Sequence, residues 1–280
     1  MCIRDSLHPL LGDNLELLGE CIGKLSVKFH VPQIEVAIAE LDTILILRHL
    51  QPLTSEDEVI LQDYGEQLKI TWYTQSGGLE TVKPLNEAVS LSYSLPDHNI
   101  KMSFLPTDFT QVNFELNQKM INLALQLLDL NKEDEVIDLF CGLGNFTLPI
   151  SRYVKKVVGI EGDSGLVERA KENASKNEVS NASFYKANLF EDVSGFKWFR
   201  GRNYNKALID PARTGAIEIV ELLPKLNVER LVYVSCNPAT LARDTARLID
   251  LGFSLESAGV MDMFPQTAHV ESIALFVRKN

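Results

Sequence analysis

Val136-Ile-Asp138-Leu-Phe140-Cys141-Gly142-Leu-Gly144-Asn145-Phe146 runs from an apolar stretch, through a turn with two glycines, into a helical pattern. It reads as a strand, a tight turn and a helix start. From Glu135 the same alternation repeats. Strands are expected at Val157 to Ile160, Ala182 to Tyr185, Ala207 to Asp210, Leu231 to Val234 and Ser272 to Val277, and helices from Phe146, from Ser164 to Lys176, from Ala216 and from Thr240 to Leu251. Strands alternating with helices predict an α/β fold with a parallel, doubly wound sheet. Beyond Leu251 the helical periodicity stops. The closing strands are expected to pair as a hairpin, giving a mixed sheet with an antiparallel strand near its edge.

Working outward, residues 109–280 form the expected sheet domain, opened by an amphipathic helix over Asn113 to Leu130. Residues 7–108 read as a smaller α+β domain. Its first helix, Leu7 to Leu25, carries the stripe Leu11, Leu15, Leu18, Ile22 and Leu25. A hairpin comes next over Gln33 to Glu40 and Thr43 to Arg48, then a helix capped at Thr54 and running to about Leu68. Further strands are expected at Ile70 to Thr74, Val89 to Leu95 and Ile100 to Phe104. Residues 1–6 share no periodicity with the helix that begins at Leu7 and are expected to be a non-native leader.

The chain has 280 residues, 45% of them hydrophobic, enough to bury a core, and no apolar run of membrane-spanning length. No secretory signal pattern opens it, so a cytoplasmic protein is expected, with no membrane partner. Cys2, Cys21, Cys141 and Cys236 are scattered, supporting neither a disulfide framework nor a metal site. A net charge of −11 argues against a generic polyanion binder. Lys197, Arg200, Arg202 and Lys206 form a local cluster that could meet phosphate, though such runs are usually solvated loops.

The chemistry gathers at strand ends, where open α/β sheets bind ligands. Gly142 and Gly144 let backbone approach a ligand closely; Glu161, ending the second strand, can accept from the hydroxyls of a ribose. Thr147 stands where a pyrophosphate-binding loop has its third glycine. An adenosine cofactor without phosphates, S-adenosylmethionine, therefore fits better than a nicotinamide dinucleotide, the rival reading. Asn188, just past the third strand, is placed to meet an adenine edge or simply to form a turn. Asp210-Pro-Ala-Arg213 sets a carboxylate over the crevice. Cys236 ends the next strand and Glu271 lies 35 residues further on. A thiolate adding to C6 of a uracil makes C5 nucleophilic toward a sulfonium methyl, and a base must then remove the C5 proton. Cys236 suits the first role and Glu271 the second. The other alternative is an RNA-binding module, truncated and with its catalysis weakened or lost.

These residues resemble the RNA uracil-C5 methyltransferases of the TRAM-domain class, most of all the bacterial branch acting on 23S rRNA. The marks are Phe109-Thr-Gln111-Val-Asn113, Asp138-Leu-Phe140-Cys-Gly-Leu-Gly-Asn145-Phe-Thr-Leu-Pro149, Asp210-Pro-Ala-Arg213, Val234-Ser-Cys236-Asn-Pro-Ala-Thr-Leu-Ala-Arg243-Asp244 and Asp262-Met-Phe-Pro-Gln-Thr-Ala-His269-Val-Glu271-Ser. The resemblance implies a Rossmann-like S-adenosylmethionine-dependent domain with Cys236 as nucleophile and Glu271 as proton acceptor. It implies further that Gln111, Phe140, Asn145, Glu161, Asn188 and Asp210 line the cofactor and base site, that the partner is RNA (23S rRNA), and that the protein acts as a monomer. Relatives carry an OB-like N-terminal domain and four cysteines holding a [4Fe-4S] cluster. Those ligands are absent here, so a truncated member is expected.

Overall fold

A computed structural model of the chain describes residues 14–111, 113–263 and 270–278. The proposed leader, the start of the Leu7 to Leu25 helix and the loop carrying His269 lie outside them. The chain divides into two compact units, Met1–Tyr93 with Ser103–Val112, and Ser94–Met102 with Asn113–Asn280.

In the first unit, α1 (Leu15–Lys24) packs on α2 (Ser55–Leu68), and both border a four-stranded sheet in the order β1 (Gln33–Ile38), β2 (Thr43–Arg48), β3 (Thr71–Gln75), β4 (Lys83–Pro84). β1 and β2 form the expected antiparallel hairpin, whereas β2 and β3 are parallel, with α2 as the crossover. The helix starts where Thr54 accepts from the Asp57 N–H and Asp57 reaches back to the Thr54 N–H. This reciprocal cap satisfies two donors that the helix itself cannot. Cys21, Leu45, Leu47, Leu61 and Trp72 form the core. Burial pushes the Cys21 thiol up to about 11, as expected of a packing residue. β5 (Leu91–Leu95) and β6 (Ile100–Phe104) pair as a separate two-stranded sheet.

The second unit is built on a seven-stranded sheet in the order β12, β13, β11, β10, β7, β8, β9. Five strands are parallel: β7 (Glu135–Leu139), β8 (Lys156–Glu161), β9 (Ala182–Lys186), β10 (Lys206–Ile209) and β11 (Arg230–Ser235). β13 (Glu271–Arg278) is inserted antiparallel between β11 and the edge strand β12 (Phe253–Met261). Strands β7 and β8 read as continuous apolar runs because both faces are covered: Val136, Ile137, Leu139, Val157, Val158 and Ile160 are all essentially inaccessible. Each such side chain contributes roughly 1.5–3 kcal/mol by leaving water.

The helices keep to their caps more than to their periodicity. α3 (Phe114–Leu128) starts at Asn113, which accepts from the Leu116 N–H at 3.1 Å. α4 (Thr147–Ser151) and α6 (Ile217–Val220) are one turn each, shorter than the apolar pattern suggests. α5 (Ser164–Lys176) has the expected bounds, with Asp163 as its cap. α7 (Pro238–Asp250) corrects the expected start at Thr240. Asn237 and Pro238 are the cap and first helical residue, not a break before the helix, because proline there lacks only an N–H that would go unused.

Candidate active site

The five parallel strands deliver their last residues to one edge of the sheet, and β13, running the other way, delivers its first residue to the same edge. The register makes this specific. Ser235 of β11 pairs with Ser272 of β13. β11 ends at Ser235 and β13 begins at Glu271, so Cys236, the next residue of the chain, leaves the sheet beside the start of β13.

The electrostatics agree with that placement. Cys236 is half-buried, and its thiol is pushed up by burial first, then by the charges of Glu271 and Asp210; Arg213 acts in the opposite sense. Glu271 is 6% exposed, and loss of water raises its pKa as well. Asp210, just past β10, is pushed up to about 7 by burial and by the Glu271 charge. A thiol and two carboxylates thus stand within each other's field at one strand edge.

A second cluster borders the glycine turn. Asp138 lies in the middle of β7 with no exposure, and its pKa is pushed up to about 8 by burial and the charges of Asp210 and Glu161. Its Oδ2 accepts from the Thr147 hydroxyl at 2.5 Å, while Oδ1 has no hydrogen-bond partner. The Glu161 carboxylate accepts the Gly142 N–H on Oε2 at 3.0 Å and the N–H groups of Gly162 and Asp163 on Oε1 at 2.7 and 3.0 Å. Of about four acceptor positions on a carboxylate, one remains, on Oε2. Gly142 has φ +54°, and a Cβ there would point into open space. Phe140, with φ +65°, holds a conformation costly for a bulky residue, and its ring lies 5.7 Å from that of Phe190. Such strain is common where a turn is shaped for a ligand. Carboxyl groups whose pKa values are raised by burial and mutual repulsion would ionise more readily beside a positive charge, so the array suits a ligand that carries one.

Other expected site residues sit differently. Asn145 exchanges amide hydrogen bonds with the buried Asn117 of α3, at 2.9 and 3.0 Å. Asn188 is exposed and makes the local turn, accepting from the Phe190 N–H and donating to Glu191. Gln111 belongs to the first unit. Cys141 packs where Gly159 leaves room; a Cβ on Gly159 would come within 2.8 Å of its sulfur. Lys206 is corrected outright as a phosphate contact: it is 8% exposed, bonds Asp134 at 2.8 Å and donates to the Asp129 carbonyl. A lysine at the first position of a central strand turns inward when a buried carboxylate awaits it. Asp138 and Asp244 carry polar roles that sequence reasoning missed. The signal was there in both cases, a carboxylate within an apolar strand and one on the face that α7 shares with Leu241 and Leu248.

A cleft of about 590 Å³ lies wholly in the first unit, lined among others by Gln62, Lys69, Trp72 and Asn86. Neither Cys236 and Glu271 nor the residues around the glycine turn line it. Among the described residues no group of three or more His, Cys, Asp or Glu could hold a metal ion.

Residues 43–279 match the family described as tRNA (uracil-5-)-methyltransferase. The chain is 66% identical over 273 residues to the 23S rRNA (uracil(1939)-C(5))-methyltransferase RlmD of Vesicomyosocius okutanii subsp. Calyptogena okutanii, covering 98% of this chain and 62% of that relative. It is 48% identical to the protein of the same name from Stenotrophomonas maltophilia, covering 97% and 61%. The chain thus spans about three fifths of the length of these relatives. Among solved structures it resembles the Pyrococcus abyssi tRNA (uracil-54, C5)-methyltransferase in complex with S-adenosyl-L-homocysteine, with TM-score 0.71, 22% identity and coverage of 95% and 67%. It also resembles the M. jannaschii tRNA m1G37 methyltransferase, with TM-score 0.61, 10% identity and coverage of 97% and 79%. The fold is the Rossmann-like methyltransferase sheet.

Proposed function

The chain belongs to the tRNA (uracil-5-)-methyltransferase family, and from that premise we propose that it methylates C5 of a uridine in RNA through a covalent bond between Cys236 and C6 of the base. The relatives' names support 23S rRNA as the substrate. The same reading has the protein working in the cytoplasm as a single chain. Among the described residues no helix is long and apolar enough to cross a membrane.

The observation that supports the proposal is the pairing of Ser235 with Ser272, which brings the end of β11, one residue before Cys236, to the start of β13 at Glu271. C5 of uracil is a weak nucleophile. The Cys236 thiolate adds to C6, forming the sulfur–carbon bond and placing carbanion character on C5. S-adenosylmethionine, when bound, supplies the sulfonium methyl that C5 takes up and leaves as a neutral thioether. Glu271 accepts the C5 proton; the electron pair of that bond restores the C5–C6 double bond and expels the Cys236 thiolate. The raised pKa of Glu271 suits a proton acceptor. A target base must leave its stack to present C5 and C6 to both groups.

The residues fit the methyl donor. Gly142 leaves space beside the turn, Glu161 keeps an acceptor position for a ribose hydroxyl, and Asp138 and Asp210 favour its positive charge. Phe140, Gly144, Asn145 and Asn188 complete the proposed site on the strength of the resemblance.

The test is intact mass after incubation with S-adenosylmethionine and a short RNA bearing 5-fluorouridine, whose C5 fluorine cannot be removed as a proton. A covalent complex formed by the wild type and lost in Cys236→Ala is expected. No complex, or one that survives Cys236→Ala, overturns the reading.

A further inference from the structure

The loop after β10, residues 211–216, carries Arg213 and is tied down by neighbouring elements. The Asn237 amide and the Thr240 hydroxyl both donate to the Arg213 carbonyl, at 3.0 and 3.3 Å, and Arg243 Nη2 donates to the Thr214 carbonyl at 2.9 Å. Behind them stands Asp244 of α7, with no exposure. Its Oδ2 accepts the Ala216 N–H at 2.8 Å and the Tyr233 hydroxyl at 2.7 Å, and its Oδ1 accepts Arg243 Nε at 2.8 Å. Gly215, at φ +78°, brings the backbone so close that a Cβ would lie 2.6 Å from Arg243 Nη2 and 2.7 Å from Asp244 Oδ2.

One buried carboxylate therefore joins three pieces: β11, whose chain continues into Cys236; α7, which starts two residues beyond that cysteine; and the loop with Arg213. Burying a carboxylate is expensive, and an apolar residue at this helix position would pack without that cost. What the charge adds is a fixed geometry, because all its donors are specified in direction and length. We propose that Asp244 is a positioning residue for the thiol: it locks loop 211–216 onto β11 and α7, and so holds Arg213 toward Cys236.

This deepens the reading of Cys236 as nucleophile and rests on it for its purpose. Among the described residues the charges that act on the thiol are those of Glu271, Asp210 and Arg213; the first two oppose the thiolate and the third favours it. Glu271 is set by β13, and Asp210 by its N–H bond to the Leu139 carbonyl at 3.3 Å. Loosening the loop thus removes chiefly the influence of Arg213.

The experiment measures iodoacetamide alkylation of Cys236 against pH, by peptide mass, in the whole chain. Variants are Asp244→Asn, Arg213→Gln, their double mutant, and Tyr233→Phe, which deletes one donor and leaves the carboxylate. Asp244→Asn and Arg213→Gln should each move the profile upward, by about half a pH unit for loss of one nearby charge. The double mutant should move no further than Arg213→Gln alone. An unmoved profile in a folded Asp244→Asn protein, or additive shifts in the double mutant, overturns the proposal. If Asp244→Asn does not fold, Tyr233→Phe decides, an upward shift supporting and an unmoved profile refuting. No RNA or methyl donor is involved, so this outcome is separate from the 5-fluorouridine test of the reaction.

Discussion

Asp138→Asn should change how the stability of the second unit depends on pH. The side chain has no exposure, and asparagine keeps its shape and its acceptor for Thr147 but cannot ionise. The folded protein holds the Asp138 proton up to about pH 8, whereas the unfolded chain gives it up near the ordinary value of 3.8. Between those values the unfolded state binds fewer protons, so stability falls as pH rises, and it levels off only above about 8. At about 1.4 kcal/mol per pH unit, this one group removes roughly 4 kcal/mol between about pH 5 and about pH 8. That is a large share of a typical domain stability of about 5–15 kcal/mol. The chain has two tryptophans, Trp72 in the first unit and Trp198 in the second, the latter 2% exposed. In a Trp72→Phe background, which breaks no hydrogen bond of the indole N–H, Trp198 fluorescence reports urea unfolding of the second unit alone. The free-energy gap between Asp138→Asn and its parent should widen by roughly 4 kcal/mol in favour of the mutant from about pH 5 to about pH 8. Parallel pH dependences in the two proteins would refute the reasoning.

Gly142→Ala should cost only about 1–2 kcal/mol for the left-handed backbone, since no atom stands within 4 Å of the new Cβ; calorimetry should nonetheless show weakened S-adenosylmethionine binding, because that space is where the ligand is proposed to lie. Gly215→Ala should cost more, about 2–4 kcal/mol from clash and backbone strain together, read as a fall in the urea midpoint. Lys206→Met should destabilise the second unit by about 3–5 kcal/mol by leaving Asp134 buried without its cation, while RNA binding by the folded protein, measured by filter retention, stays unchanged. Equal RNA and stability losses would return Lys206 to the surface role that the structure denies it.

The parallel strands were legible almost to the residue, because Val and Ile runs covered on both faces have no other way to be buried. The insertion of β13 between β11 and β12 was not, since pairing partners are chosen by tertiary fit that no local pattern records. α4 and α6 ended early because the apolar periodicity around them belongs to loops packed on the sheet, not to longer helices. At the site, the roles of Cys236 and Glu271 are expectations from the sequence, whereas the pairing of Ser235 with Ser272 that brings the end of β11 to the start of β13 is recorded by no local pattern. Lys206 misled because a charge run was read as one surface when strand geometry turns its last member inward. Asp244 shows the converse: a carboxylate among Leu241 and Leu248 looks like a flaw in the helix face until its donors from β11 and the 211–216 loop are seen.

The nearness of thiol and carboxylate is tested most directly by Glu271→Gln, with Cys236 alkylation followed against pH in the ligand-free protein. The Glu271 charge opposes the thiolate, so removing it should let the thiolate form more readily and move the profile to lower pH, by about half a unit or more. A profile unmoved from that of the wild type would mean that Glu271 does not face Cys236.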